Sequence, residues 1–204
     1  MLILLRHGQS ISNAVGLLVG RSDPPLTDLG VRQAELAGDF LAGERPPGTA
    51  GPLAIFCSPL DRARSTAEIV AARAGGSHHI RVDDRLIELD YGKLDGFRVS
   101  QVDPTDWAAW RADPSWRPPG GETLVELHAR VTEWTDEVAS LAGEGDVIAV
   151  SHVSPIKAAA AWAIGAGPEL SWRLSLGVAA ITRISTSPRS LHSFGETGHL
   201  ARAR

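Results

Sequence analysis

Short apolar runs and longer stretches of helical periodicity take turns along this chain. Leu2–Leu5 is a continuous apolar run closed by Arg6-His7-Gly8, the pattern of a buried strand running into a loop. Thr27-Asp28 can cap a helix over about residues 28–42, with Val31, Ala34, Ala37 and Leu41 as its apolar face. Residues 43–52 hold three glycines and three prolines and read as a surface loop. Leu53–Cys57 is a second strand, and Ser58-Pro59 after it predicts an N-cap with proline in the first helical position. That helix carries Leu60, Ala63, Ala67, Val70 and Ala74 inward. Residues 79–90 read as strand or irregular structure, and 103–121 as a helical turn in a long loop rich in proline, glycine and tryptophan. Leu124, Leu127, Val131, Trp134, Val138 and Leu141 mark one side of an amphipathic helix over 123–141. Val147–Val150 is a third strand ending at Ser151-His152, followed by an alanine-rich helix from about 154 to 164. Val178–Ile184 and Ser190–Phe194 complete the strands.

Strands alternating with helices predict an α/β fold, a single domain over residues 1–204 with a mainly parallel sheet flanked by helices. In such sheets ligands bind beyond the carboxyl ends of the strands. Three strands end there in polar residues: Arg6-His7, Ser58 leading to Arg62, and Ser151-His152.

Composition narrows the partners. The net charge of −4 and the scattered basic residues give no general attraction for nucleic acid. No apolar run approaches the roughly 18 residues of a membrane span, and the early charge at Arg6 argues against a signal-peptide core. One cysteine, Cys57, excludes an intrachain disulfide and suits a reducing compartment. The expectation is a cytoplasmic protein that meets neither membrane nor nucleic acid, with Cys57 a buried small hydrophobe.

If the ligand is an anion, the cations that bind it must be gathered locally. The strand ends supply two arginines and two histidines. Arginine forks match phosphate oxygens and stay charged. A neutral histidine can attack phosphorus, and a helix starting near Pro59 would add free N–H groups. Structural readings stand beside these: a histidine at a strand end is often just exposed, Arg62 on a helix can be a solvated charge, and Asp83, Asp84 and Asp90 rival Glu88. His128, His192 and His199 have no motif around them, and the pair His78-His79 lacks the further ligands of a metal site. Trp107, Trp110 and Trp116 serve either as core or as walls of a substrate cleft.

Five segments in order resemble the histidine phosphatase (phosphoglycerate mutase-like) superfamily. They are Leu4-Leu5-Arg6-His7-Gly8-Gln9-Ser10, Ser58 to Ala67, Leu86 to Gly96 around Glu88, Gly120-Gly121-Glu122-Thr123, and Val150-Ser151-His152. The resemblance implies that His7 takes the phosphoryl group, while Arg6, Arg62 and His152 hold its oxygens. It implies that Glu88 protonates the leaving oxygen and later activates water. Asn13 stands where members often have a pocket asparagine. No metal and no cofactor are implied; the partner is a small phosphorylated metabolite, and homodimers occur in the family. Where the family usually has two glycines after the second histidine, this chain has Val153-Ser154-Pro155-Ile156-Lys157, similar to a segment of some family phosphatase modules.

The resemblance fits a phosphatase working through a phosphohistidine, with a phosphoglycerate mutase as the alternative. Mutases of the superfamily usually carry a longer segment between the acid and the glycine-glycine-glutamate turn; here 31 residues separate Glu88 from Gly120. A non-catalytic phospho-ligand binder would be expected to have lost one of His7, Arg62, Glu88 or His152, and all are present.

Overall fold

The computed structural model describes residues 1–45, 50–74 and 80–202; the His78-His79 pair and part of the loop at 43–52 lie outside them. One sheet holds β1 (Leu2–Arg6), β2 (Ala54–Cys57), β3 (Ile80–Val82), β4 (Val147–Ser151), β5 (Ile181–Thr186) and β6 (Arg189–Glu196). Their order across the sheet is β3-β2-β4-β1-β5-β6. The first four run parallel, and β5 and β6 join as an antiparallel pair. This is the expected α/β fold with a mainly parallel sheet, extended by a hairpin. Helices α1 (Ile11–Ala14), α2 (Asp28–Gly43), α3 (Asp61–Arg73), α4 (Pro104–Ala112), α5 (Leu124–Glu144) and α6 (Val153–Ile164) accompany it.

Successive strand residues point to opposite faces, and both faces are covered. Leu2, Leu4, Phe56 and Ala149 pack with α5, α6 and Trp110 of α4. Ile3, Leu5, Ile55 and Val150 pack with Ala37 and Leu41 of α2 and with Ala63, Ala67 and Val70 of α3. Burial on both sides explains why these strands read as unbroken apolar runs. Cys57 lies in the second cluster, and burial pushes its thiol up to about 11, which leaves it protonated and unreactive.

Three expectations shift. The buried face of α2 runs through Gly30, Gln33, Ala34, Ala37 and Leu41, and Val31 is exposed. Gly30, one position earlier, takes the inward place at the start of α2, where a Cβ would run into the backbone of Gln9. Residues 104–112 form a nine-residue helix, more than one turn, because Asp103 caps Thr105 N and Pro104 takes a first-turn position. The helix after β2 starts at Asp61, two residues later than the Ser58-Pro59 signal, with Leu60 in the cap position and no side-chain bond there. Among the described residues, no helix is long and apolar enough to cross a membrane.

Candidate active site

Parallel pairing of β1 with β4 sets Arg6 opposite Ser151, so His7 and His152 leave the sheet side by side. Their ring centroids lie 5.0 Å apart. His7 N donates to Ser151 O and Ser58 N to Val150 O, both at 3.0 Å, which carries the strand register one residue into the loops. A glycine is required at position 8, where a Cβ would run into the Gly30 carbonyl of α2. Gln9 N donates to Gln33 Oε1 at 2.9 Å, which pins the loop behind His7 to the same helix.

Four of the candidate groups are almost fully buried: His7 is 3% exposed, His152 0%, Arg62 1% and Glu88 4%. His7 Nδ1 lies 2.7 Å from Gly8 O. A carbonyl only accepts, so Nδ1 carries the proton and the neutral ring presents its lone pair at Nε2. Burial first, then the charges of Arg6 and Arg62, push the His7 pKa well below the usual histidine range. His152 is pushed down by burial and then by His7, Arg62 and Arg6. Its Nε2 lies 2.7 Å from Ser58 Oγ.

The two guanidiniums are held at their ends. Arg6 Nη1 donates to Leu176 O at 2.7 Å. Arg62 Nη1 donates to Ser22 O at 2.7 Å and to Asp23 Oδ1 at 3.2 Å, and its Nη2 donates to Gly20 O at 2.9 Å. Arg6 Nε, Arg62 Nε and His152 Nδ1 are buried and have no hydrogen-bond partner among the described residues. Burial lowers the pKa of both arginines and Glu88 opposes it, with Asp23 also opposing at Arg62. Arginine remains charged through such shifts.

Glu88 sits against the start of α6. Its Oε1 accepts from Leu89 N (2.8 Å) and Ser154 N (3.1 Å), and its Oε2 from Val153 N (3.1 Å). A carboxylate offers about four acceptor directions, so Oε2 keeps one free. Arg130 holds the backbone nearby: Nη1 donates to Arg85 O (2.6 Å) and Nη2 to Glu88 O (3.4 Å), while Nε donates to Glu122 Oε1 (2.7 Å). The rival carboxylates are engaged or turned away. Asp83 pairs with Arg85, Asp90 accepts from Gly92 N, and Asp84 is exposed. Arg6, His7, Asn13 and Glu88 line one cavity of about 210 Å³. Asn13 Oδ1 accepts from Ser10 N (3.1 Å) and Ser10 Oγ (3.0 Å), so this oxygen caps α1.

The helix start expected to receive an anion is occupied otherwise. Ser58 Oγ faces His152, and Asp23 Oδ2 accepts from Asp61 N at 2.6 Å. A carboxylate at a helix N-terminus is favourable for the dipole, and this one also pairs with Arg62. Sequence reading missed this loop and its organiser. Asp95 accepts from Gly20 N (3.3 Å), Arg21 N (2.9 Å), Ser22 N (2.8 Å) and Ser22 Oγ (2.6 Å). The Gly20 and Ser22 carbonyls that grip Arg62 are thereby fixed by a residue about 75 positions further on. Among the described residues, no three His, Cys, Asp or Glu side chains gather as a metal-binding group.

Known proteins match this arrangement along nearly the whole chain. The bifunctional protein Rv2228c of Mycobacterium tuberculosis is 34% identical over 205 residues, which are 98% of this chain and 54% of that protein. The chain thus spans about half the length of this curated relative. A glucosyl-3-phosphoglycerate phosphatase of Mycolicibacterium vanbaalenii is 35% identical over 175 residues, 80% of this chain and 74% of that one. The solved structure of mycobacterial glucosyl-3-phosphoglycerate phosphatase Rv2419c with VO3 superposes with a TM-score of 0.84 at 30% identity, covering 96% of this chain and 99% of that one. The model of the histidine phosphatase superfamily (branch 1) matches residues 2–193, and with the strand-end histidines in place the chain belongs to that superfamily.

Proposed function

We propose that this chain is a phosphatase that releases inorganic phosphate from a small phosphorylated metabolite through a phosphohistidine at His7. One observation carries the reading. A neutral histidine with its lone pair fixed on Nε2 lies in the field of two buried guanidiniums whose Nε–H groups have no protein partner among the described residues. Buried donors without partners cost about 1–3 kcal/mol each, and a phosphoryl dianion supplies the acceptors that remove this cost.

In the first step Nε2 of His7 attacks phosphorus and the bond to the ester oxygen breaks. The ester oxygen leaves with a proton from Glu88. In the second step water attacks the phosphohistidine, Glu88 takes its proton, and phosphate departs as His7 regains its lone pair. Arg6, Arg62 and His152 offer Nε–H and Nδ1–H groups to the equatorial oxygens. With Ser58 O–H donating to His152 Nε2, the neutral imidazole keeps its proton on Nδ1. Such a pocket stabilises transferring charge by position and electrostatics, so activity should survive exhaustive EDTA treatment.

The phosphoglycerate mutase reading uses the same residues. NMR of 3-phosphoglycerate with enzyme and a bisphosphoglycerate primer separates the two: the phosphatase gives phosphate and little 2-phosphoglycerate. Rapid primer-dependent interconversion overturns the phosphatase reading.

A further inference from the structure

Of the five segments that resemble the superfamily, Gly120-Gly121-Glu122-Thr123 alone supplies no group to phosphoryl transfer. It lies against the stretch that carries the acid. Residues 87–91 around Glu88 belong to neither helix nor strand, so their backbone groups need partners from elsewhere. Side chains provide several. Arg130 Nη1 donates to Arg85 O (2.6 Å) and Nη2 to Glu88 O (3.4 Å), while Ser151 Oγ donates to Leu86 O (2.6 Å). Glu122 holds Asp90 at both of its backbone groups: Asp90 N donates to Glu122 Oε2 (3.3 Å), and Glu122 N donates to Asp90 O (2.9 Å).

Arg130 and Glu122 are themselves locked together. Arg130 Nε donates to Glu122 Oε1 at 2.7 Å and Nη2 to Oε2 at 2.9 Å, a bidentate fork whose side chains are 17% and 13% exposed. Both partners are anchored. Thr123 and Glu126 cap the start of α5 reciprocally, and Arg130 lies about two turns along that helix. Gly121 has to be a glycine, because a Cβ there would run into Asp90 O. The pair thus grips the acid segment at positions 85, 88 and 90, on both sides of the Glu88 side chain. The start of α6 holds the carboxylate oxygens, and the fork holds the backbone from which they hang. A buried ion pair adds little net stability, since desolvation offsets its attraction. What this one adds is a fixed distance between α5 and the Glu88 backbone. A proton donor must lie within about 2.6–3.2 Å of the oxygen it serves, and misplacement by about 1 Å can cost on the order of 10²-fold.

We propose that Glu122 and Arg130 are positioning residues for the general acid: their fork sets where the Glu88 carboxyl stands against the ester oxygen, and neither touches the substrate. The proposal rests on the phosphatase reading of the His7 site with Glu88 as its acid.

The test is single-turnover phosphorylation of the enzyme by glycerol 3-phosphate and by p-nitrophenyl phosphate. The alkoxide needs the proton of Glu88 and p-nitrophenolate does not. A residue that acts through Glu88 therefore slows the first ester selectively, which a general loosening of the pocket does not do. Arg130→Lys keeps the charge and loses the fork. It is expected to slow phosphorylation by glycerol 3-phosphate about 10–10²-fold and by p-nitrophenyl phosphate far less. The vanadate inhibition constant stays unchanged, because Arg6, Arg62 and His152 keep their places. Glu122→Gln acts in the same direction and carries the test if Arg130→Lys fails to fold. It is the less clean variant, since Arg21 Nη2 also reaches Glu122 Oε2 at 3.5 Å. In the Glu88→Gln background, Arg130→Lys adds nothing to the contrast between the esters. Equal slowing of both esters, or of neither, overturns the proposal, as does a further selective loss in the Glu88→Gln background. If Glu88→Gln itself slows both esters equally, the acid assignment falls and the proposal with it. Selectivity in Glu88→Gln that is absent from Arg130→Lys and Glu122→Gln removes the role of the pair alone.

Discussion

Replacing Glu88 by glutamine removes the transferable proton and also disturbs a contact set. Oε1 accepts two backbone N–H groups and Oε2 accepts one. Whichever way the amide turns, its NH2 faces at least one of them. With the oxygen at the Oε1 position, Val153 N loses its acceptor; turned over, Leu89 N and Ser154 N lose theirs. One unmatched N–H costs about 1–3 kcal/mol, or about 2–12 °C in Tm for a chain of this size. The better orientation keeps two bonds, so the lower half of that range is expected. Activity measured well below the variant's Tm reports the chemistry. A proton donor contributes about 10²–10⁴-fold when an alkoxide leaves, whereas p-nitrophenolate leaves without help. Single-turnover phosphorylation of the enzyme should therefore slow by that factor with glycerol 3-phosphate and by far less with p-nitrophenyl phosphate. Steady-state rates hide the contrast if phosphohistidine hydrolysis limits turnover, because Glu88 serves that step for both esters. An equal fall for both esters in the phosphorylation step refutes the role of leaving-group acid. The loss would then come from the displaced start of α6.

His7→Ala should abolish turnover and the acid-labile phosphoenzyme while leaving the circular dichroism spectrum unchanged; retention of more than a few per cent of activity in a clean preparation contradicts the nucleophile assignment. Stability should fall as pH is lowered through about 6.5, because unfolded imidazoles take up protons there while buried His7 and His152 do not. Each such histidine adds up to about 1.4 kcal/mol per pH unit, so urea midpoints of His152→Gln should depend on pH less steeply than those of the unaltered chain. Asp95→Asn puts an NH2 among the N–H groups of Gly20, Arg21 and Ser22 and loosens the grip on Arg62. Losing one charged-group hydrogen bond, about 1.5–3 kcal/mol, should raise the vanadate inhibition constant at least tenfold in protein that is still folded; an unchanged constant would show that the loop does not position Arg62.

Local sequence determined where the chemistry stands along the chain. An apolar run that stops at a polar residue marks a strand end, so Arg6-His7 and Ser151-His152 were legible as neighbours of a loop. The binary pattern also set the class of fold, because strands covered on both faces must be apolar throughout. The inward faces of α3 and α5 follow from periodicity alone, with Ala63, Ala67, Leu127 and Trp134 all buried. Which polar atoms meet was decided by the tertiary structure. Ser58 looks like a helix cap to its neighbours in sequence, yet its hydroxyl faces His152, 94 residues away. Glu88 stands among several carboxylates, and only the start of α6, about 65 residues later, singles it out. The carbonyls of Gly20 and Ser22 that hold Arg62 leave no pattern, since any residue type provides them. Val31 shows the same limit in the core: periodicity placed it inward with Ala34, Ala37 and Leu41, yet the inward place at the start of α2 belongs to Gly30, which lies against the backbone of Gln9. Hydrogen bonds and close backbone approaches depend on register and distance between elements far apart in the chain, and local patterning encodes neither.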